Sequence, residues 1–267
     1  MPSYAITGAS RGIGFAFVDV LSRYPSNVVF ALVRNTTSSP ALTKLAESNK
    51  NVHIIKGDVT STTELEEAAA SISKITGGKL DVLVENAALV FGESAGITLM
   101  DLVGDAEKTK QFGKDLNTSV GDNVMSVVHT TNAFLPLIKK GDLKKIAVLS
   151  TGIADVDATL AWGMPGNVPY CVSKTAVNMI VAKYATQVKE DGVTIVAISP
   201  GLVLTSNEES FVQMYEALTQ MFRKTKPDFE GPISPETSAV MMLETLKKLS
   251  VEDTGKFLSH HGNKEWL

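Results

Sequence analysis

Short apolar runs rich in β-branched residues recur along the chain, and polar or glycine-containing segments separate them. Runs of this kind, too apolar to alternate between two faces, are typical of parallel strands that are buried on both sides. They predict strands over Tyr4 to Thr7, Val28 to Val33, Val52 to Lys56, Leu80 to Val84, Ile146 to Ser150 and Val193 to Ser199.

The segments between these runs show the spacing of amphipathic helices. Examples are Glu64 to Ile75 and Val124 to Lys140, and a further helical pattern begins near Ser234. Strand and helix alternate six or seven times, which predicts an α/β fold with a doubly wound parallel sheet flanked by helices. Because neither a repeat nor a linker rich in Pro and Gly divides the 267 residues, we expect a single domain over residues 1–267.

Composition narrows the functional classes. The net charge of -4 argues against nucleic acid as a partner. Cys171 is the only cysteine, which rules out an internal disulfide and a cysteine-based metal cluster and suits a reducing compartment. The histidines have no metal-ligand spacing, so we expect no metal and structural or solvated roles for His53, His129, His260 and His261.

Neither a membrane segment nor a targeting segment is expected. No apolar run approaches the roughly 20 residues that a spanning helix needs. The apolar stretch that begins at Tyr4 leaves no room for the regions of a signal peptide. We therefore expect a cytoplasmic protein without a membrane partner.

A glycine-rich turn follows the first predicted strand, and a helical pattern from Phe15 to Leu21 follows the turn. Glycines permit a tight turn and close backbone approach, and N–H groups at a helix start bind pyrophosphate. This context predicts a dinucleotide site. Its expected contacts are Gly8, Ser10, Arg11, Gly12, Ile13 and Gly14.

The second predicted strand ends at Arg34 and Asn35, where a site for NAD would carry an acidic residue. Arg34 and Arg11 would instead surround a 2′-phosphate with charge-assisted donors, near Thr36, Thr37 and Ser38. The pattern favours NADP(H) as cofactor. The alternative is that both arginines are solvated surface residues.

Two further strand ends carry candidate cofactor contacts. Asp58, followed by Val59, would accept a hydrogen bond from an adenine amino group, and the alternatives are a helix N-cap or a turn. After the fourth strand, Asn86, Ala87 and Ala88 would let the chain pass close to the adenosine ribose. Asn86 is expected to hydrogen-bond across the sheet.

Tyr170 and Lys174 stand four residues apart, which makes them neighbours on one helix face. An ammonium held beside a phenolic oxygen stabilises phenolate and lowers the phenol's pKa from its ordinary value of about 10. Tyr170 would then be a usable proton donor. For this pair in isolation, an ordinary solvated helix surface is the alternative.

In their order, these motifs resemble the short-chain dehydrogenase/reductase family over essentially the whole chain. The C-terminal stretch Gly255 to Trp266 and the arginine after the second strand are similar to its carbonyl-reductase and sniffer-like branch. The resemblance implies a Rossmann-type NAD(P)-binding domain. The matching motifs are Thr7-Gly8-x-x-x-Gly12-x-Gly14, Asp58, Asn86-Ala87, Asn123, Ser150-Thr151, Tyr170-x-x-x-Lys174 and Pro200-Gly201-x-Val203-x-Thr205.

The resemblance also implies roles for the matched residues. Tyr170 would be the acid/base, and Lys174 the ligand of the nicotinamide ribose and the modulator of the tyrosine pKa. Asn123 would support a water relay to the lysine, with hydrogen bonding inside its own helix as the alternative. The loop after the sixth strand would hold the nicotinamide carboxamide and phosphates through Pro200, Gly201, Val203 and Thr205.

The hydroxyl that orients the substrate is where the chain departs from the family pattern. The family usually has two serines at this strand end and uses the second, so the register points to Thr151, with Ser150 as a close second. The segment from Thr151 to Tyr170 exceeds the common spacing and is expected to fold over one wall of the site. Glu85 stands where an asparagine is common, and Ala88 replaces a glycine.

Residues 205–232 correspond to a substrate lid in the family. A helical stripe of Met and aromatic residues there is either core or pocket lining. A pocket lining of this kind favours a bulky hydrophobic carbonyl substrate. The stripe consists of Phe211, Met214, Tyr215, Leu218, Met221 and Phe222.

We therefore expect NADPH-dependent reduction of a ketone, aldehyde or quinone, with Tyr170 as proton donor. The alternatives are alcohol oxidation with NAD(P) and a non-catalytic dinucleotide sensor. The resemblance further implies a homodimer or homotetramer, assembled through the helices that contain Asn123 and Tyr170.

Overall fold

The computed structural model describes residues 1–37, 39–90, 92–206 and 208–267. Ser38, expected near the 2′-phosphate, and Asn207, within the expected lid, lie outside the described residues. The strands are β1 (Ser3–Thr7), β2 (Val28–Val33), β3 (Val52–Lys56), β4 (Val82–Glu85), β5 (Lys145–Leu149), β6 (Thr194–Ser199) and β7 (Phe257–Ser259). The helices are α1 (Gly12–Ser22), α2 (Pro40–Ser48), α3 (Thr62–Thr76), α4 (Ala106–Ile138), α5 (Val156–Trp162), α6 (Val168–Val188), α7 (Glu209–Phe222) and α8 (Pro235–Lys248).

The strands form one seven-stranded parallel sheet in the order β3-β2-β1-β4-β5-β6-β7, which confirms the predicted doubly wound architecture. The first six strands agree with the predicted runs to within two residues at each end. β6 is buried along its whole length, as a strand with both faces covered should be. β7 pairs with β6 but was not predicted, because the strand is only three residues long and only two of them are apolar.

Two helical layers cover the sheet. On one face, α3, α4 and α6 pack Leu65, Phe134 and Val177 against the strands. On the other face, α1, α2 and α8 contribute apolar side chains such as Phe17 and Met242. None of the described helices combines the length and apolarity that a membrane-crossing segment needs.

Helix α4 begins at Ala106, well before the predicted start at Val124. The side chain of Asp105 caps its first turn by accepting a hydrogen bond from the Lys108 N–H at 3.0 Å. The first half of α4 has no continuous apolar stripe and contains Gly113, so periodicity alone did not reveal it.

Asp81 joins three segments at the amino-terminal edge of the sheet, although it is only 5% exposed. Its Oδ2 accepts hydrogen bonds from the N–H and hydroxyl of Ser3 at 2.8 and 2.9 Å, and its Oδ1 accepts from the Asp142 N–H at 2.7 Å. Burial by itself would raise the pKa of Asp81, but hydrogen bonds from Ser3, Asp142 and Leu143 outweigh it and lower the pKa. The ionised carboxylate therefore stabilises the fold.

Replacing Asp81 with asparagine should lower the free energy of unfolding at pH 7 by about 1–3 kcal/mol. The N–H groups that donate to both carboxylate oxygens would then face an amide, whose NH2 group cannot accept a hydrogen bond. The carboxylate's contribution exists above the unfolded pKa of about 3.9 and is lost as pH falls through the lower folded pKa. The difference in the free energy of unfolding between wild type and Asp81→Asn should therefore become smaller as the pH falls. Urea unfolding across this pH range tests the expectation. The exposed control Asp122→Asn should change stability by less than about 0.5 kcal/mol, and an equally small effect at Asp81 would contradict the prediction.

Candidate active site

The predicted functional residues gather at the carboxyl-terminal edge of the sheet, around β1 and β4. β1 pairs with β2 on one side and with β4 on the other. The connections that leave β1 and β4 therefore run in opposite directions and open a crevice between them. Open α/β sheets bind ligands at such a switch point.

Close packing of glycines shapes the turn after β1. Gly8 and Gly12 have φ angles of 64° and 56°, which side chains rarely adopt. A Cβ on Gly14 would lie 2.3 Å from the Gly8 carbonyl oxygen and 2.5 Å from Asn86 Nδ2. Gly14 is therefore the residue that lets α1 approach the edge of the sheet.

The amino terminus of α1 fits a pyrophosphate. The N-cap residue, Arg11, makes no capping side-chain hydrogen bond, and the first turn, which includes Ile13, holds no acidic side chain. Its N–H groups are consequently left for an anion in the crevice. The glycine cradle and these donors match the chemistry expected of a dinucleotide site.

Hydrogen bonds of Asn86 join the end of β4 to the glycine turn. Its Nδ2 donates to the carbonyl oxygens of Thr7 and Gly8 at 3.0 and 3.2 Å. The Thr7 hydroxyl oxygen in turn accepts from the N–H groups of Asn86 and Ala87 at 3.0 and 3.1 Å. The expected hydrogen bond across the sheet is thus confirmed, and the exposed Ala88 follows it at the crevice mouth.

The two arginines lie on neighbouring loops. Arg34 and Asn35 follow β2, Arg11 precedes α1, and all three side chains are exposed. The Ser39 hydroxyl donates to the Ser10 carbonyl oxygen at 2.7 Å and so joins the loop after β2 to the glycine turn. The hydrogen bond brings the loops that carry the two arginines together at the glycine turn.

Asp58 is a turn residue after β3. Its Oδ1 accepts from the N–H and hydroxyl of Thr60 at 2.9 and 2.8 Å. The N-cap of α3 is Ser61, so the N-cap alternative for Asp58 is wrong; Asp58 does form a turn with Thr60, and its contact with adenine stays a prediction. Val59 packs against the core, and its carbonyl oxygen lies 3.4 Å from His129 Nδ1.

Tyr170 and Lys174 lie one turn apart on α6, as predicted. Lys174 Nζ lies 5.9 Å from the centre of the Tyr170 ring and donates a hydrogen bond to the Leu149 carbonyl oxygen at 2.7 Å. Lys174 is only 3% exposed, whereas Tyr170 is half-buried. The ammonium is therefore anchored to the end of β5 beneath the tyrosine.

The structure corrects one expectation about this pair. Burial raises the pKa of Tyr170 above its ordinary value, and the nearby ionisable groups of Cys171 and Tyr215 raise it further. Lys174, whose ammonium is hydrogen-bonded to Leu149, is not among the groups that shift this pKa. Tyr170 is thus a neutral phenol at pH 7, the form that a proton donor requires.

The hydroxyls of Ser150 and Thr151 have different surroundings. Ser150 is 2% exposed, and its hydroxyl donates to Asn178 Oδ1 on α6 at 2.6 Å. Thr151 is more exposed, and its side chain does not cap the helical turn that follows it. Ser150 is therefore engaged in holding α6, and the contacts favour Thr151 as the hydroxyl available to a ligand.

Asn123 bridges α4, α6 and the loop after β4. Its Oδ1 accepts from the Leu89 N–H at 2.7 Å, and its Nδ2 donates to the Leu89 carbonyl oxygen and to Ser173 Oγ, both at 2.9 Å. The Ser173 hydroxyl donates onward to the Tyr170 carbonyl oxygen at 2.8 Å. These bonds reach beyond the asparagine's own helix, so its side chain positions the helix that carries Tyr170.

The loop after β6 closes the crevice from the other side. The Pro200 carbonyl oxygen accepts from the Ser238 hydroxyl at 2.7 Å, and Val203 forms a parallel bridge with Ile233. Thr205 Cγ2 lies 3.6 Å from where a Cβ on Gly12 would stand. The structure thus brings Thr205 against the glycine turn.

Sequence reasoning missed the position of His260, which packs on Gly201. A Cβ on Gly201, whose φ is 84°, would lie 2.8 Å from the imidazole Cε1. Burial, with repulsion from His261 and Lys226, lowers the pKa of His260 to about 4, so the ring is neutral. Only the pairing of β7 with β6 reveals this contact, because it brings the residues after both strands together.

The segment from Thr151 to Tyr170 packs against the expected lid. The Trp162 and Phe222 rings are 4.8 Å apart, which joins α5 to α7. Of the predicted lid stripe, Phe222 is buried as core, whereas Tyr215 and its other members remain half-buried. The stripe therefore combines core packing with an accessible apolar face.

The carboxyl-terminal segment supports the same wall. Trp266 stacks on Phe257 with ring centres 4.3 Å apart, and a Cβ on Gly152 would lie 2.9 Å from Trp266 Cβ. An open cavity of about 730 Å³ beside Trp266 contains none of the predicted catalytic or cofactor-binding residues that the structure describes. A smaller cavity of about 30 Å³ adjoins Tyr170 and Leu89.

Comparison with known proteins agrees with this geometry. A family model described as short chain dehydrogenase matches residues 3–216. The short chain dehydrogenase virK of Hypocrea virens is 40% identical over 274 residues, with 100% of both chains covered.

Two solved structures have the same architecture. The NADPH-bound carbonyl reductase from chicken fatty liver has a TM-score of 0.77 and 26% identity, with 98% of both chains covered. The carbonyl reductase Sniffer of D. melanogaster has a TM-score of 0.79 and 23% identity, again with 98% of both chains covered. At that identity, the second likeness bears on the fold alone.

The two hydroxyls should respond differently to removal. Ser150→Ala should destabilise the fold by about 1 kcal/mol, because Asn178 Oδ1 loses its donor. Thr151→Val should leave the free energy of unfolding nearly unchanged and lower turnover about 100-fold or more, as loss of an oxyanion-stabilising donor does. Urea unfolding and steady-state kinetics separate the effects. The reverse pattern would assign the orienting role to Ser150.

Proposed function

The chain belongs to the short chain dehydrogenase family, and on this premise we propose that it is an NADPH-dependent oxidoreductase that reduces a bulky hydrophobic ketone, aldehyde or quinone. The observation that carries the proposal is the half-buried phenol of Tyr170 on α6, one turn before Lys174, whose ammonium bonds to the end of the strand that Ser150 and Thr151 follow. A phenolic acid on α6 and a hydroxyl after β5, on two elements that Lys174 joins, suit a carbonyl oxygen on which negative charge develops.

The roles of the chain's own residues follow from their chemistry. Tyr170 donates its phenolic proton to the carbonyl oxygen, and Thr151 donates a hydrogen bond that orients it. Lys174 and the α1 amino terminus hold the dinucleotide through its ribose and pyrophosphate, with Thr205 and Asn86 bordering the cradle. When bound, the reduced nicotinamide supplies the hydride that the carbonyl carbon accepts.

The protonation state of Tyr170 supports reduction as the direction. Reduction needs a protonated donor, whereas alcohol oxidation needs a base to take the hydroxyl proton. The raised pKa of Tyr170 favours the donor form at neutral pH. Alcohol oxidation with NAD(P) is the alternative, and faster oxidation of the corresponding alcohols than reduction of the carbonyls under matched conditions would favour it.

NADPH is proposed from the charges around the adenosine side of the crevice. Arg34 follows β2 where sites for NAD carry an acid, and the Ser39–Ser10 hydrogen bond holds its loop to the turn that bears Arg11. Guanidinium groups suit a phosphate through charge-assisted, bidentate hydrogen bonds. The chicken carbonyl reductase with the same architecture is described as NADPH-bound.

A hydrophobic substrate is proposed from the lid. Met214, Tyr215 and Leu218 on α7 remain half-buried, and the ionisable group of Tyr215 is close enough to raise the pKa of Tyr170. Partly covered apolar side chains beside a reacting group bind an apolar ligand by removing its surface from water.

Tyr170→Phe should lower turnover of a panel of quinones, aromatic ketones and aldehydes by at least 100-fold, because the proton donor is lost. NADPH affinity, measured by fluorescence titration, should change little. The matched control is Tyr184→Phe on the same helix, whose hydroxyl bonds to Asn132 Oδ1 at 2.8 Å and not to the site. The control should keep its activity, and retained activity in Tyr170→Phe would refute the acid role.

Arg34→Asp should raise KM for NADPH roughly 10- to 100-fold, because a charge-assisted hydrogen bond to a phosphate is worth about 1.5–3 kcal/mol. KM for NADH should change far less. The matched control is Lys44→Asp, the same charge change at an exposed position on α2, which should affect both nucleotides slightly. Equal losses with both nucleotides in Arg34→Asp would rule out the 2′-phosphate assignment.

A further inference from the structure

Glu85, the last residue of β4, is a buried carboxyl that the mechanism above does not use. It is 5% exposed, and its Oε1 accepts a hydrogen bond from the Thr131 hydroxyl at 2.7 Å. Its Oε2 has no hydrogen-bond partner among the described residues. Such a group is costly to bury as an anion unless an opposite charge compensates it.

Strand register directs Glu85 toward Lys174. Glu85 pairs with Val148 on β5, and neighbouring residues of paired parallel strands project to the same face. Val148 belongs to the same buried cluster as Val177, which lies on α6 one turn beyond Lys174. Lys174 Nζ bonds to the carbonyl oxygen of Leu149, the residue after Val148. Glu85 and Lys174 therefore enter the same layer between the sheet and α6.

Within the part of the chain that the structure describes, no counter-ion is hydrogen-bonded to the buried ammonium of Lys174. Lys174 is 3% exposed, and its hydrogen-bond partner is the neutral Leu149 carbonyl. A lone buried cation loses its proton readily, because burial disfavours the charged form. Among the described carboxylates, Glu85 is the one whose charge influences Lys174.

We propose that Glu85 is a positioning residue that acts as the counter-charge of Lys174, keeping it an ammonium beneath Tyr170 and setting the alkaline limit of turnover. The inference rests on the function proposed above, since it concerns the lysine that holds the cofactor there. Glu85 touches neither substrate nor cofactor and acts through Lys174 alone.

The electrostatics of the pair agree with this geometry. Burial raises the pKa of Glu85 to about 8, against the Thr131 hydrogen bond and the Lys174 charge, which lower it. Burial likewise lowers the pKa of Lys174 to about 8, against the Glu85 charge, which raises it. As pH rises, loss of the carboxyl proton creates an attracting pair, so the ammonium persists to higher pH than it would alone.

Few other ionisable groups face the pair. On α6, Tyr184 is electrostatically coupled to Glu85, and the Tyr170 ring lies against Lys174. On α4, the contact is the un-ionisable hydroxyl of Thr131. The adjoining strand ends contribute Thr7 on β1 and Val148 on β5, whose side chains do not titrate.

The experiment compares the pH dependence of carbonyl reduction in wild type and Glu85→Gln, which keeps side-chain volume and removes the charge. The alkaline limb of the kcat/KM profile should move to lower pH by about one unit or more, the size of shift that a nearby opposite charge produces. Glu85→Asp, which keeps a carboxyl group, should give an alkaline limb between those of Glu85→Gln and wild type. Thr131→Val, which leaves the carboxyl in place but removes its hydrogen-bond donor, should give a smaller shift in the same direction.

The matched control is Asp81→Asn, a buried carboxyl just before β4, at the opposite end of that strand. It should reduce stability without moving the alkaline limb. If Glu85→Gln and Thr131→Val fold and their profiles superimpose on that of wild type, the counter-charge role is wrong. An equal shift in Asp81→Asn would also overturn it, because the effect would then follow from lost stability.

A readout without turnover separates this inference from the proposed function. With lysine labelled by ¹³C at Cε, the Lys174 resonance, assigned by its loss in Lys174→Arg, reports the lysine's pKa in the full chain. That pKa should be lower in Glu85→Gln than in wild type. An unchanged pKa overturns the pairing even if carbonyls are reduced, whereas a lowered pKa without turnover supports it and the proposed function alone fails.

Discussion

The contact of Gly14 with Gly8 and Asn86 is the constraint on which the site depends. Because a Cβ at position 14 would lie 2.3 Å from the Gly8 carbonyl oxygen, α1 can reach the edge of the sheet only with glycine there. Asn86, which follows β4, donates a hydrogen bond to the Gly8 carbonyl oxygen. Leu89, on the same loop, donates to Asn123, which in turn donates to Ser173 on α6. A continuous series of short contacts thus relates the anion cradle to the tyrosine.

Helix α6 is held to the sheet's edge from several directions. Lys174 bonds to Leu149, Asn178 accepts from Ser150, and Thr175 donates to the Ala154 carbonyl oxygen at 3.2 Å. Attachments to both the strand end and the loop after it restrict rotation and sliding of the helix. Reacting groups on such an element keep their geometry without ordering when a ligand binds.

Sequence pattern predicted six strands and the edge where the motifs meet, because buried parallel strands and glycine turns are local properties. It missed β7 and the first half of α4, which lack long apolar patterns. The separate tasks of Ser150 and Thr151 depend on Asn178, a contact between distant segments. The predicted lowering of the Tyr170 pKa was wrong, because burial raises this pKa and burial depends on the fold rather than on i, i+4 spacing. The sequence shows Glu85 only as a departure from the family's asparagine, because its contact with Thr131 on α4 joins segments that are remote in sequence.

The packing of Trp266 on Gly152 has a consequence for the order in which the enzyme is assembled. Domains begin to fold from the amino terminus during synthesis, yet the wall beside Thr151 is supported by a residue translated more than a hundred positions later. A nascent chain that has completed the glycine turn, β5 and α6 still lacks that support. The wall of the reaction chamber beside Thr151 therefore gains its support only after Trp266 has been translated.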